Sequence, residues 1–101
     1  MRVISQDGTL DFPYENSIVF IDTRAKEATF VRMQAIGDNE ASITAKYSTK
    51  EKAKKAMEEL RYAYMCHSLV KMGQMLPDGI DEKLTIGLGG VFQFPAEEEL
   101  E

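Results

Sequence analysis

The sequence predicts an α+β fold: an antiparallel meander of four to five strands followed by one long amphipathic helix, with Val91 to Phe94 as a candidate C-terminal strand. Three observations carry that expectation. The first half consists of short β-branched or alternating stretches divided by turn residues. The second half opens with Ala53, Ala56, Met57, Leu60, Ala63, Tyr64 and His67 recurring at three- and four-residue steps, which lines them along one helical face. Between the two, Ser48 and Glu51 stand three residues apart, the spacing of a capping box, which predicts Ser48 as the N-cap.

Taken in order, Arg2 to Gln6 is a short strand stopped by Asp7-Gly8, whose glycine tolerates the positive φ of a tight turn. Thr9 to Phe12 returns as its partner and ends at Pro13, which has no N–H for the ladder. Within Ser17 to Asp22, the run Ile18-Val19-Phe20-Ile21 is apolar on both faces and suits a strand covered on both sides, hence a central one. Ala28 to Ile36 alternates, with Val31, Met33 and Ala35 on one face and Arg32 and Gln34 on the other. A Gly37-Asp38-Asn39 turn follows, and then Ile43, Ala45 and Tyr47 alternate with Thr44 and Lys46.

The helix is expected from Thr49 to Met72, with Gly73 as its left-handed stop and a buried Leu60 at the centre of its apolar stripe. Its early turns mix Lys50, Lys52, Lys54, Lys55 and Arg61 with Glu51, Glu58 and Glu59. That is a solvated face in which a pair such as Glu51 with Lys55 contributes about 0.2–0.5 kcal/mol. Gln74 to Gly79 reads as a loop and Leu84 to Leu88 as a short strand. Residues 1–96 make one small domain, and 97–101 make a solvated, frayed acidic tail.

Composition narrows the function classes. Hydrophobic residues at 44% and charged residues at 29% are ordinary for a folded domain. Of the net −5, four charges belong to Glu97, Glu98, Glu99 and Glu101, so the body is near neutral and lacks the basic surface of a phosphate-binding protein. Lone Cys66 makes no internal disulfide, the first residues form no apolar leader, and no stretch approaches the roughly 20 apolar residues of a membrane span. The expected setting is the cytoplasm.

No residue set supports an enzyme or a cofactor. Cys66 and His67 are adjacent, about 100° apart on a helix, which reads as a buried inert thiol beside a packed or rim histidine. Gly87-Leu88-Gly89-Gly90 lacks the Lys-Ser/Thr of a phosphate loop. Asp78, Asp81 and Glu82 lack the ligand spacing of a calcium loop. Met33, Met57, Met65, Met72 and Met75 could supply an adaptable contact surface, and core filling is the favoured reading.

Two segments, Met1-Arg2-Val3-Ile4-Ser5-Gln6-Asp7-Gly8-Thr9 and Tyr47-Ser48-Thr49-Lys50-Glu51-Lys52-Ala53, together with Phe92-Gln93-Phe94-Pro95, resemble a family of small uncharacterised proteins encoded by phages and prophages of Gram-positive bacteria. The resemblance implies a mobile-element origin and an intracellular setting, and no activity, ligand or catalytic residue.

The expectation is a non-enzymatic phage accessory protein acting through protein–protein contact. Its candidate surface is Met65, Cys66, Leu69 and Val70, which extend the apolar helix face beyond one stripe and suit a homodimer or a host or phage protein. The alternative is a nucleic-acid accessory protein using the patch Lys50, Lys52, Lys54, Lys55 and Arg61, with Lys71 further along.

Overall fold

The computed structural model describes residues 1–71 and 90–100. The expected strand at Leu84 to Leu88, the Gly73 stop, and the loop groups at Asp78, Asp81, Glu82 and Gly87 to Gly89 lie outside the described residues, as do Met72 and Met75. The rest is the expected α+β fold: β1 (Arg2–Ile4), β2 (Asp11–Pro13), β3 (Ser17–Asp22), β4 (Thr29–Ala35), β5 (Ser42–Tyr47), α1 (Lys50–Lys71) and the C-terminal strand β6 (Val91–Gln93).

The strands divide into two sheets, β2-β1-β6 and β3-β4-β5. The sequence pattern did not specify this division. After β2, a 3-10 turn at Tyr14–Asn16 redirects the chain behind Pro13, so the first hairpin does not continue into the β3-β4-β5 meander. β6 returns to lie parallel to β1, with Val3 opposite Phe92.

The first hairpin closes around Ser5 and Gly8. Gly8 adopts φ 78° and donates its N–H to the Ser5 carbonyl at 2.9 Å, a turn that puts Gln6 at its corner. The buried Ser5 hydroxyl donates to Asp7 Oδ1 at 2.7 Å and accepts the N–H groups of Thr9 and Leu10. These hydroxyl and N–H donors, those of Ser5 foremost, hold the Asp7 carboxyl down at about 2.

β4 buries Val31 and Met33 as its alternation predicts. β5 does not keep a strict alternation. Val31 pairs with Ala45 and Arg32 with Ile43, so Thr44 is the extra residue of a β-bulge. The bulge buries Thr44 and Ala45 together and turns Ile43 outward. Thr44 Oγ1 donates to the Val31 carbonyl at 2.9 Å, and the Thr44 carbonyl accepts the Gln6 N–H at 2.7 Å.

α1 lies across the inner face of β3-β4-β5 with Ala53, Ala56, Leu60 and Ala63 fully covered. Alanine at three of those positions gives the helix backbone a close approach to Val31, Met33, Ala45 and Tyr47 in the same core. Leu60 is buried as its place in the stripe requires. The cap is one residue later than the Ser48–Glu51 spacing predicts: Thr49 Oγ1 accepts the Lys52 N–H at 3.2 Å, and the Thr49 carbonyl accepts that of Ala53. Ser48 is left outside the helix because its own N–H donates to the Glu97 carboxylate.

Glu97 belongs to a second 3-10 turn, Glu97–Leu100, and that corrects the expectation of a frayed tail. Leu100 is buried against the core, its carbonyl accepts Lys55 Nζ at 3.1 Å, and Lys52 Nζ stands 3.9 Å from Glu97. Glu97 thus sits at the N-terminal end of α1, where the helix dipole favours negative charge. The Ser48 hydrogen bonds, and Lys52 behind them, lower the Glu97 carboxyl from its ordinary value.

Thr49→Ala is expected to cost about 0.5–2 kcal/mol, and more than Ser48→Ala, with chemical denaturation of the two variants deciding which residue is the cap. Leu60→Ala is expected to cost about 2–5 kcal/mol, a large share of the roughly 5–15 kcal/mol of a small domain. A denaturation midpoint left in place by Leu60→Ala refutes this packing.

Candidate functional site

The surface that stands out is the outer face of β3-β4-β5, the side away from α1. Direct pairing places Ile18 beside Gln34, Phe20 beside Arg32 and Asp22 beside Phe30, and across the next ladder Arg32 beside Ile43 and Phe30 beside Lys46. Side chains opposite one another in an antiparallel pair share a face. That face therefore carries Ile18, Phe20, Phe30 and Ile43 around Arg32. Ile18 is 66% exposed, Phe20 37% and Ile43 44%.

This corrects the placement of β3 as a central strand. It is the edge of its sheet, and its burial alternates: Val19 and Ile21 pack against the core while Ile18 and Phe20 face outward. The apolar run reads as two-sided burial because one of its faces is left open.

A charged group closes one end of the face. The buried Asp22 carboxylate accepts Arg24 Nε at 2.9 Å and Nη2 at 2.8 Å, the Arg24 backbone N–H at 3.0 Å, and Arg32 Nε at 2.7 Å. Arg32 also stacks over the Phe30 ring, 5.9 Å from its centroid. The Arg24 hydrogen bonds, with those of Arg32 after them, hold the Asp22 carboxyl well below the usual carboxylate range against the opposing effect of burial. Two guanidiniums on one carboxylate leave the group net positive. None of Asp22, Arg24 or the exposed face residues was marked by the sequence as a site.

The residues that the sequence does mark are scattered. On α1, Met65 is exposed, Leu69 is half-buried, and Val70 lies one residue before the helix's last position. Cys66 is fully buried and so cannot belong to a contact surface, because its place on the helix turns it into the core. His67 is half-buried near Gly90, where a Cβ in place of the glycine hydrogen would lie 3.6 Å from the imidazole Cε1. Of the basic patch, Lys50, Lys54, Lys55 and Arg61 are exposed and Lys52 is partly covered. Lys52 and Lys55 reach toward the C-terminal turn, where Glu97 faces the first and the Leu100 carbonyl accepts the second, so two members of the patch are engaged within the chain. Lys71 closes the helix.

Among the described residues there is no group of three or more histidine, cysteine or acidic side chains placed to hold a metal ion. Among the described residues no helix is long and apolar enough to cross a membrane. No family model, curated protein or solved structure matches the chain. The resemblance to phage proteins rests on the sequence segments alone.

Asp22 gives this surface a pH dependence. Its folded value lies below its unfolded value, so the ionised group stabilises the fold above about pH 4 and the contribution fades as pH falls further. The denaturant midpoint is expected to drop more steeply between about pH 6 and about pH 3 for the native chain than for Asp22→Asn. Parallel curves would show that the arginines contribute nothing through Asp22.

Proposed function

We propose that this chain is a small non-enzymatic protein that works by binding another protein through the outer face of β3-β4-β5. The observation behind this reading is the exposure of Ile18, Phe20 and Ile43 on one contiguous face around Arg32. Apolar groups clustered on an open face mark contact sites far more often than the same residues scattered singly. The mixture also has the composition of an interface centre, where aromatic residues and arginine are enriched and lysine is depleted. Joined to the sequence resemblance, the reading is that of a phage-encoded accessory protein acting on a partner inside the host cell.

Two other candidates have less support. Self-association through α1 would draw on Met65 and the half-buried Leu69 without Cys66. Nucleic-acid binding would draw on lysines interspersed with Glu51 and Glu58, two of them turned toward the C-terminal turn.

The test uses immobilised protein and a lysate of the host cell, comparing the native chain with Ile18→Asp/Phe20→Asp and with Met65→Asp. Both substituted faces are solvent-exposed, so folding should survive and can be checked by circular dichroism. Retained protein is expected to fall at least about tenfold for the double variant, the scale of one hot-spot residue, and to persist for Met65→Asp. A retained set indifferent to the double substitution refutes the reading.

A further inference from the structure

Resting on the open-face reading, we infer that the β3 edge takes an extended acidic segment of a partner protein as a fourth strand of the β3-β4-β5 sheet. The backbone supplies the first reason. The Ile36 N–H donates to the Asn16 carbonyl at 2.9 Å, which makes residues 16 and 36 a hydrogen-bonded pair. Antiparallel alternation then turns the N–H and C=O groups of Ile18, Phe20 and Asp22 toward β4, and those of Val19 and Ile21 away from the sheet. Among the described residues no strand lies on that side.

The other edges differ. The β5 edge is occupied by Gln6, which donates its N–H to the Thr44 carbonyl and accepts the Lys46 N–H at 3.0 Å. β2 and β6 are three residues long, whereas β3 pairs with β4 over six residues without a bulge. Protein edges of that length are commonly blunted by lysine, proline or a bulge. β3 has no such residue from Ser17 to Ile21, so among the described residues it is left open to strand addition.

Charge names the occupant. At the end of β3 two guanidiniums share the Asp22 carboxylate, and the Arg24 side chain is 82% exposed in a chain of net charge −5. A strand entering antiparallel to β3 brings its N-terminal residues past Asp22 to Arg24. Asp22 pairs with both arginines but carries one negative charge against their two positive ones, and a carboxylate there meets the remaining positive charge at the exposed Arg24. Apolar residues two and four places later lie beside Phe20 and Ile18 on the outer face.

The probe is a labelled, acetylated peptide Glu-Glu-Val-Thr-Val-Thr-Val followed by fluorescence anisotropy, with Lys-Lys in place of Glu-Glu as one control. A second control is the acidic peptide N-methylated at both threonines, whose N–H groups face the edge. The acidic peptide is expected to bind about tenfold or more tightly than either control. Arg24→Lys should keep the preference for acidic peptide and Arg24→Glu should reverse it, while amide NMR shifts centre on Val19 and Ile21. Equal binding of the three peptides overturns the proposal. So does a dimer in sedimentation that Phe20→Asp splits, since the edge then belongs to a second copy. Peptide failure alongside face-dependent capture from lysate overturns strand addition and leaves the wider reading standing. Capture indifferent to the face overturns the wider reading itself.

Discussion

Gln6 holds the two sheets together, and much of the remaining geometry depends on its hydrogen bonds. Its N–H donates to the Thr44 carbonyl, its Oε1 accepts the Lys46 N–H, and its Nε2 donates to the Pro95 carbonyl at 3.0 Å. The same Pro95 carbonyl accepts the Tyr47 hydroxyl at 2.8 Å. One side chain at a turn corner therefore ties the first hairpin to the bulged strand and to the segment just beyond the last strand. Tyr47 can play its part only as a neutral donor. Burial first, then the charges of Glu59, Glu99 and Glu97, push its phenol well above the ordinary value and keep the proton in place.

Fixing Pro95 also fixes the C-terminal turn. The chain leaves Phe94 in the core and is delivered to the start of α1, where Glu97 receives the Ser48 N–H and Leu100 enters the apolar cluster. The displacement of the helix cap from Ser48 to Thr49 is a consequence of this arrangement. A capping box satisfies the backbone from within its own segment, whereas here a carboxylate from 49 residues away does so and leaves the next hydroxyl to cap the helix. The bulge at Thr44 has a similar cause, because its displaced carbonyl is the acceptor that Gln6 reaches.

Periodicity made the strands and helix legible in the sequence, since each is specified by neighbours a few residues apart. The alternation of Val31 and Met33 with Arg32 and Gln34 matches the burial of β4, and Leu60 lies where a 3.6-residue repeat puts it. The features that could not be read locally depend on distant partners: the return of β6 beside β1, the docking of Leu100, and the bulge that turns Ile43 outward. The candidate surface lies between these cases. Ile18-Val19-Phe20-Ile21 alone looks two-sided, yet polar Arg32 and Gln34 imply that the outer face of the neighbouring strand meets water. Pairing β3 with β4 first, and judging its faces second, reveals the open side.

That open side is not required by the core. Val19 and Ile21 already supply the inner face of β3, and the side chains of Ile18 and Phe20 could be polar without removing a buried contact from the cluster beneath α1. Arg32, Gln34 and Lys46 on the same face are polar, as a solvated face requires, whereas Phe30 and Ile43 extend the apolar surface of Ile18 and Phe20. Strand propensity favours β-branched and aromatic residues at Ile18 and Phe20, but Thr or Tyr would meet it with less apolar exposure. The fold thus accounts for one face of β3 and leaves the other to be explained by its contacts. An edge whose outward backbone groups and outward side chains are both unsatisfied by the described fold asks for the same kind of neighbour twice: an extended chain that pairs with one and covers the other.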